Sequence, residues 1–388
     1  MAGIDPTAPT PLELAFGFTF GTLPTAVSPD PGADTVTARA AVDEALLTAL
    51  RRPPCVMSFS GGRDSSALLA LAVDVARRHG LDPPVAATNR FAGAAAADET
   101  AWQAEVLEHI GDVEHVVLDF TDELGLIGPY AQDFLLAHGA RWPMNTHMHA
   151  AIADLARGGS LVTGFGGDEV LGSSQRFHLA QVLARRRRPR RGDVPIIGLA
   201  ASPRAVRRLV HVRRARATAS ALPWLTPEAV SEISRRVAEE ESRPSTSWDR
   251  QLLEVFARSR YLQLCLDSFR RLGADRDAQV VHPFVTPAVL AAFAREGGRG
   301  GLGSRAEALR RLLGDLLPDT VMRRQSKAVF DSPLWTAACT EFAASWSGGG
   351  FDPALVDAEA LRADWLSRSG SVRAFGMLQA AWLHDQQL

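Results

Sequence analysis

Residues 58–66 read SFSGGRDSS, and they connect a short apolar run, CVMSF at 55–59, to a helical stretch, SSALLALAVDVARRHG at 65–80. A buried strand, a glycine-rich turn and a helix bring backbone N–H groups to one point, where the helix dipole favours an anion. The residues that would form this cradle are Ser58, Ser60, Gly61, Gly62, Ser65 and Ser66. The sequence therefore predicts an anion-binding loop at the end of a strand.

Asp64, inside this loop, indicates more than a tight turn. A carboxylate repels phosphate unless a cation lies between them, so we interpret Asp64 as a magnesium ligand. The loop is not a Walker A motif, because no Gly-Lys-Ser/Thr follows, and it is not GxGxxG. A turn with Asp64 as a helix cap would explain two glycines and one aspartate alone, but the complete string favours a functional loop.

Strands and helices alternate in the first half of the chain. The apolar runs predict strands at 55–59, 85–89, 113–118 and 160–165. Helical periodicity occurs at 36–51, 65–80, 98–111, 130–138 and 146–157. After about residue 170 the strands mostly stop, and helices are predicted at 174–188, 203–219, 226–241, 247–272, 286–296 and 304–314. We expect an extended N-terminal arm (1–35), an α/β domain with a parallel sheet (36–200) and a helical domain (201–388).

Composition narrows the class of protein. The chain is 46% hydrophobic and 22% charged with a net charge of −2, so its overall charge does not suggest nucleic acid or an anionic membrane as partner. The three cysteines are far apart, the N-terminus lacks a signal-peptide pattern, and no apolar run is long enough to cross a membrane. We therefore expect a cytoplasmic protein without disulfides.

The SGGxDSS string resembles the pyrophosphate loop (PP-loop) of the ATP pyrophosphatase superfamily. That superfamily includes synthetases for asparagine, GMP, NAD and argininosuccinate, and tRNA-modifying enzymes, and the loop alone does not choose among them. A second motif, LVTGFGGDEVLG at 161–172, follows another predicted strand. Together the two motifs resemble the synthetase domain of the asparagine synthetase family. The resemblance covers roughly 36–345 and includes DETAW at 98–102 and VVHPFVTPAVLAAFA at 280–294, where Thr286 replaces the usual Asp.

The resemblance implies a fold of the PP-loop type, with ATP and Mg²⁺ as cofactors. Asp64 and Asp168 would hold magnesium, and Thr163 and Gly164 would meet the nucleotide through their backbone. The implied reaction is the transfer of a carboxylate to AMP, followed by displacement of AMP by an amine.

Lys327, in RRQSKAVF, is the only lysine among 42 basic residues. In the family a lysine precedes an aromatic residue in this segment and contacts the α-phosphate and the acyl-adenylate. A compact ammonium group stabilises developing charge there, whereas a planar guanidinium would sit differently. We therefore assign Lys327 a catalytic role, although one lysine could also survive by chance in a chain rich in arginine.

The predicted substrate pocket, formed by Phe165, Gly166 and Glu169, departs from the family. Asparagine synthetases usually have Glu at the position of Phe165, and relatives that form β-lactams have Tyr there. Phenylalanine cannot transfer a proton, so the general base must come from elsewhere or from the substrate. The carboxylate to be activated would be larger and more apolar than aspartate, in a peptide or natural product. Glu169 is the next candidate base, but the resemblance makes it structural more often.

The source of the amine is open. Relatives that use glutamine begin with Met-Cys, whereas residue 2 here is Ala2, and only about fifty residues precede the loop. We expect free ammonia, ammonia from a separate amidotransferase subunit, or an amine on the substrate, as in relatives that close lactams or lasso peptides. The protein partner would be that amidotransferase or, alternatively, a peptide-handling protein. An ammonia-dependent asparagine synthetase is the first alternative.

An arginine cluster supports a second alternative, an RNA-modifying PP-loop enzyme or an RNA-binding protein. RRRRPRRG at 185–192, with more arginines at 204–216, could bind RNA or an acidic peptide, or could be a solvated surface. We favour the solvated surface and expect nucleic acid to be no partner. His147 and His149 resemble a metal pair, but residues two apart do not share a helix face, so we expect structural roles.

Overall fold

The computed structural model describes residues 5–23, 36–171, 188, 191–242, 247–324, 331–367 and 371–387. Among these residues the strands form one parallel sheet in the order β3-β2-β1-β4-β5. The strands are β1 (Cys55–Ser58), β2 (Val85–Phe91), β3 (His115–Phe120), β4 (Ser160–Val162) and β5 (Gln279–Val281). The chain moves outward from β1 to β3 and then returns to the other side of β1. The reversal between β1 and β4 is the place where open α/β sheets bind ligands.

Helices surround this sheet. Up to the second motif they are α1 (Pro11–Phe16), α2 (Ala38–Leu50), α3 (Arg63–His79), α4 (Thr100–Ile110), α5 (Pro129–His138), α6 (Ala150–Leu155) and α7 (Gly167–Leu171). The next are α8 (Val194–Ala201), α9 (Arg204–Ser220), α10 (Pro227–Glu241), α11 (Trp248–Arg250), α12 (Arg260–Asp275) and α13 (Pro287–Gly297). The last are α14 (Arg305–Leu313), α15 (Asp319–Arg323), α16 (Asp331–Leu334), α17 (Ala337–Ser345), α18 (Ala358–Leu366) and α19 (Phe375–Asp385).

The four predicted strands are confirmed, and the α/β class with a parallel sheet is confirmed with them. β5, which pairs with β4 from Ser160 to Val162, was not predicted from the sequence. β5 has only three residues, which are too few to show the alternation of apolar and polar side chains that predicts a strand. His282 and Pro283 follow it directly. The helix predicted at 174–188 falls almost entirely outside the described residues.

Two other segments differ from expectation. Within the predicted extended arm, Pro11–Phe16 form a helix that begins with a capping box between Thr10 and Glu13. The helix predicted at 247–272 is interrupted. Ser259 bridges to Thr22 of the N-terminal segment and caps α12, so a new helix begins at Arg260.

The main hydrophobic core crosses the predicted boundary at residue 200. Side chains of α2 and α3 share one buried cluster with side chains of α13 and α14, including Leu46, Leu69, Phe293 and Leu309. A second cluster joins α1 to the C-terminal helices through Trp224, Trp346 and Trp365. All three cysteines are buried and free, as expected. None of the described helices is both long and apolar enough to span a membrane.

Candidate active site

The loop after β1 closes on itself through its serines. The Ser65 hydroxyl donates to the Gly62 carbonyl at 3.0 Å, and Ser65 Oγ accepts the Ser60 N–H at 3.2 Å. Gly61 has φ +77°, and a Cβ there would lie 2.9 Å from Cγ of Gln103, so glycine is required. Gly62 caps α3 with extended backbone. The predicted loop is therefore one compact turn whose backbone N–H groups begin a helix, which is the geometry that binds anions.

The second motif lies against the first. A Cβ on Gly167 would lie 2.5 Å from Cγ of Asp64, and a Cβ on Gly164 would lie 3.3 Å from the backbone nitrogen of Ser65. These glycines therefore let α7 and the β4 loop approach the first loop directly. The two motifs are therefore in direct contact at the carboxyl ends of β1 and β4.

Arg305, the first residue of α14, connects the two predicted magnesium ligands. Its guanidinium bonds to Oδ2 of Asp64, and its Nη1 lies 2.5 Å from Oδ1 of Asp168. Burial acts to lower the pKa of Arg305, but Asp64 and Asp168 outweigh it and raise that pKa. Burial raises the pKa of Asp64, and Arg305 opposes that shift. The two carboxylates are thus close enough to share one cation.

The donor set fits a divalent cation completed by phosphate. The Oδ1 atom of Asp64 is buried without a hydrogen-bond partner, so it can still accept a cation. No group of three His, Cys, Asp or Glu side chains suited to a metal occurs in the described part of the chain. Mg²⁺ is commonly held by one or two carboxylates plus phosphate oxygens and water. Asp64 and Asp168 are the residues that would hold it.

Two more arginines surround the loop. Nη1 of the buried Arg324 donates to the Gly61 carbonyl at 3.0 Å, and the same side chain is paired with Glu99. Burial, followed by the charges of Arg305 and Arg324, lowers the pKa of Arg63. Three guanidinium groups therefore converge on a turn that already presents N–H donors, which makes the site favourable for a polyphosphate.

Thr163, the residue directly after β4, is hydrogen-bonded to β5 and to the residue that follows β5. Its N–H donates to the Val281 carbonyl at 3.1 Å, and its hydroxyl is hydrogen-bonded to Nδ1 of His282 at 2.7 Å. The Thr163 N–H is therefore already used in pairing with β5, and the expectation that Thr163 meets a nucleotide through its backbone stays a prediction.

Phe165 stands in an aromatic wall next to Thr163. Its ring centroid lies 5.3 Å from that of His282, 5.9 Å from Phe269 and 6.2 Å from Tyr261. Phe165 therefore contributes an apolar ring that packs among other aromatic side chains.

The other two residues of the predicted pocket face neighbouring side chains. Gly166 has φ +88°, and a Cβ there would lie 2.1 Å from Cγ1 of Val285, so this position serves packing. Burial raises the pKa of Glu169, and the neighbouring Tyr261 hydroxyl opposes that shift.

A scan against protein-family models matches residues 37–379 to the asparagine synthase model. The chain belongs to the asparagine synthase family. Asparagine synthases are ATP-dependent, amide-forming synthetases with a PP-loop fold, so family and fold class are confirmed. A search of curated proteins finds no match to the chain.

Several residues of this asparagine synthase-type site were not predicted from the sequence. Arg305 and Arg324 carry no local signature, and they come to the loop from 241 and 263 positions away. Arg63 stands inside the loop string and could have been identified there. Lys327, the predicted catalytic residue, lies outside the described residues, so its role stays a prediction.

We expect Arg324→Met to destabilise the protein by about 3–5 kcal/mol, because Glu99 would stay buried without its partner. Arg324 also lies over the Trp102 ring, 4.6 Å from its centroid. The measurement is urea unfolding at pH 7. The double variant Glu99→Leu/Arg324→Met should regain most of the loss. A loss below about 1 kcal/mol in the single variant would contradict the buried-pair interpretation.

We also expect stability to fall between pH 7 and pH 5. Burial lowers the pKa of His282 to about 3 and the pKa values of His147 and His149 to about 4. The unfolded chain protonates histidine near pH 6.5, so unfolding takes up protons below that pH. Each of these histidines then lowers the free energy of unfolding by about 1–2 kcal/mol at pH 5 relative to pH 7.

The check is urea unfolding of wild type and His282→Asn at both pH values. Asparagine can still hydrogen-bond to Thr163 but does not titrate, so the variant should lose less stability on acidification. Glu169, whose pKa is raised by burial, acts in the opposite direction in both proteins and cancels in the comparison. Equal pH dependence in the two proteins would contradict the assignment.

Proposed function

We propose that the protein is an AMP-forming amide synthetase that modifies a peptide or natural-product carboxylate. The carboxylate oxygen attacks the α-phosphorus of ATP, which forms an acyl-adenylate and releases pyrophosphate. An amine then attacks the acyl carbon, loses a proton and displaces AMP. The observation that carries the proposal is the meeting of Asp64 and Asp168 at one guanidinium, where the sheet order reverses.

The contacts around the loop support a role for each of its residues. The N–H groups and hydroxyls of residues 60–66 would hold the departing pyrophosphate, and Arg63 and Arg324 would balance its charge. Asp64 and Asp168 would hold Mg²⁺, which when bound neutralises charge on the phosphates. Arg305 would then turn from the carboxylates toward the phosphate oxygens. Lys327 would stabilise charge at the α-phosphate.

The adenosine half of ATP fits a cavity beside the loop. The cavity has a volume of about 310 Å³ and lies at the carboxyl end of β2, where it is lined by Asn89, Glu99 and Gln103 among others. Gln103 also donates to the Ser60 carbonyl at 3.3 Å, so the cavity and the loop share a wall. A nucleoside there would place its phosphates over the loop.

The aromatic wall favours a substrate whose acyl group is larger and more apolar than that of aspartate. Phe165 and Tyr261 offer apolar contact and no cation for a second carboxylate. The exposed Phe18 ring continues the wall, since its centroid lies 6.3 Å from that of Tyr261. Aromatic side chains bind apolar groups through large contact areas.

Product analysis tests the proposal. Purified protein is given Mg-ATP and pooled carboxylates, with and without ammonium, and AMP, pyrophosphate and ADP are measured. We expect AMP plus pyrophosphate with an apolar or peptidic acid. AMP that requires aspartate and ammonium would instead identify an ammonia-dependent asparagine synthetase, and ADP would contradict the proposed reaction.

A further inference from the structure

The helical pair α8 and α9 has a charge unlike the rest of the chain. Residues 191–220 contain seven arginines and one acidic residue, Asp193, a net charge of +6. Because the whole chain carries −2, the other 358 residues together carry −8. A general preference for arginine would not separate the signs in this way. The arginines are therefore concentrated on one element that the catalytic assignment does not use.

Helix α9 leaves most of its surface uncovered. Its buried residues, Ala215 and Ala219, belong to its last two turns, which pack near α10. Arg204, Arg208, Arg213, Arg214 and Arg216 are exposed, and among the described residues none of them is paired with a carboxylate. Five exposed cations on one helix that pair with no described carboxylate favour an anionic partner.

Apolar side chains accompany these cations. Val206 is 45% exposed, Leu209 is 54% exposed, and Val194 of the apolar helix α8 is 65% exposed. Val206, Leu209, Arg213 and Arg214 follow the spacing i, i+3, i+7, i+8, so they lie on one face of α9. The face thus offers two aliphatic side chains followed, one turn later, by two guanidinium groups.

We propose that this face of α9 binds an acidic peptide segment whose apolar side chains cover Val206 and Leu209 while its carboxylates pair with Arg213 and Arg214. RNA fits less well, because residues 191–220 contain no Phe, Tyr or Trp on which bases could stack. A lipid surface fits less well, because the arginines are distributed around α9 and leave no continuous apolar face. The inference concerns binding and does not depend on the proposed reaction.

The test is fluorescence anisotropy with a labelled twelve-residue peptide of leucine, glutamate and aspartate, in the absence of ATP. We expect saturable binding to wild type that weakens with salt. Arg213→Glu/Arg214→Glu should weaken it at least about tenfold, and Val206→Ser/Leu209→Ser should also weaken it. Arg250→Glu/Arg258→Glu, which changes the net charge equally on exposed residues elsewhere, should bind as wild type does.

Three results would overturn the proposal. The first is no binding at low salt, and the second is equal weakening by the control pair. The third is that a 16-nucleotide RNA, or vesicles with anionic lipid, bind more tightly than the peptide and bind equally well to Val206→Ser/Leu209→Ser. AMP release by each variant is measured separately, so a failure of docking is distinguished from a failure of the proposed reaction.

Discussion

Asp64→Asn is expected to lower AMP formation on the order of 10³-fold while the protein keeps its fold. Asparagine has nearly the shape of aspartate, so the close packing of Asp64 against Gly167 is preserved. The change removes the negative charge that would hold a divalent cation beside the pyrophosphate. Arg305 remains paired with Asp168, so α14 keeps its position.

Asp74→Asn is the matched control. Asp74 is also paired with arginines, Arg39 and Arg78, but lies on α3 away from the loop. It should keep AMP formation within about threefold of wild type, since partly exposed ion pairs contribute little. The magnesium concentration for half-maximal pyrophosphate binding, measured by calorimetry, should rise in Asp64→Asn alone. If Asp64→Asn formed AMP at a rate within tenfold of wild type, the proposed role of Asp64 as a magnesium ligand would be contradicted.

Lys327→Arg is expected to lose activity by about 10²–10³-fold without loss of stability. Arg324, three residues earlier in the chain, donates to the Gly61 carbonyl of the pyrophosphate loop. An ammonium group can approach the α-phosphate as a point charge, whereas a guanidinium is broader and binds in a fixed plane. The variant keeps the positive charge, so a loss of activity would be caused by the different shape of the cationic group.

Arg323→Lys is its control, because it makes the reverse change four residues earlier. Arg323 is exposed and paired with Asp319 at 2.9 Å, so its replacement should leave AMP formation unchanged. Both variants are compared with wild type in steady-state AMP release and in thermal unfolding. A near-wild-type rate for Lys327→Arg would contradict the catalytic role and leave the lone lysine without an explanation.

Much of the fold was open to prediction because its signals are local. The strands β1 to β4 are short apolar runs, and Gly80 ends α3 at the position expected from its left-handed conformation. β5 could not be predicted, since three residues show no period and their position depends on pairing with β4. The break before α12 likewise depends on the distant Thr22.

The sequence by itself determined the loop chemistry, since SGGRDSS and GFGGDE place glycines, hydroxyls and carboxylates at strand ends, where parallel sheets bind ligands. Only the tertiary structure decided which cations face those groups. Arg305, Arg324 and His282 reach the site from more than a hundred residues away in the chain, and each resembles many residues that do nothing there. These long-range contacts depend on tertiary packing, such as that of α13 and α14 onto α2 and α3. A local sequence pattern cannot predict such packing.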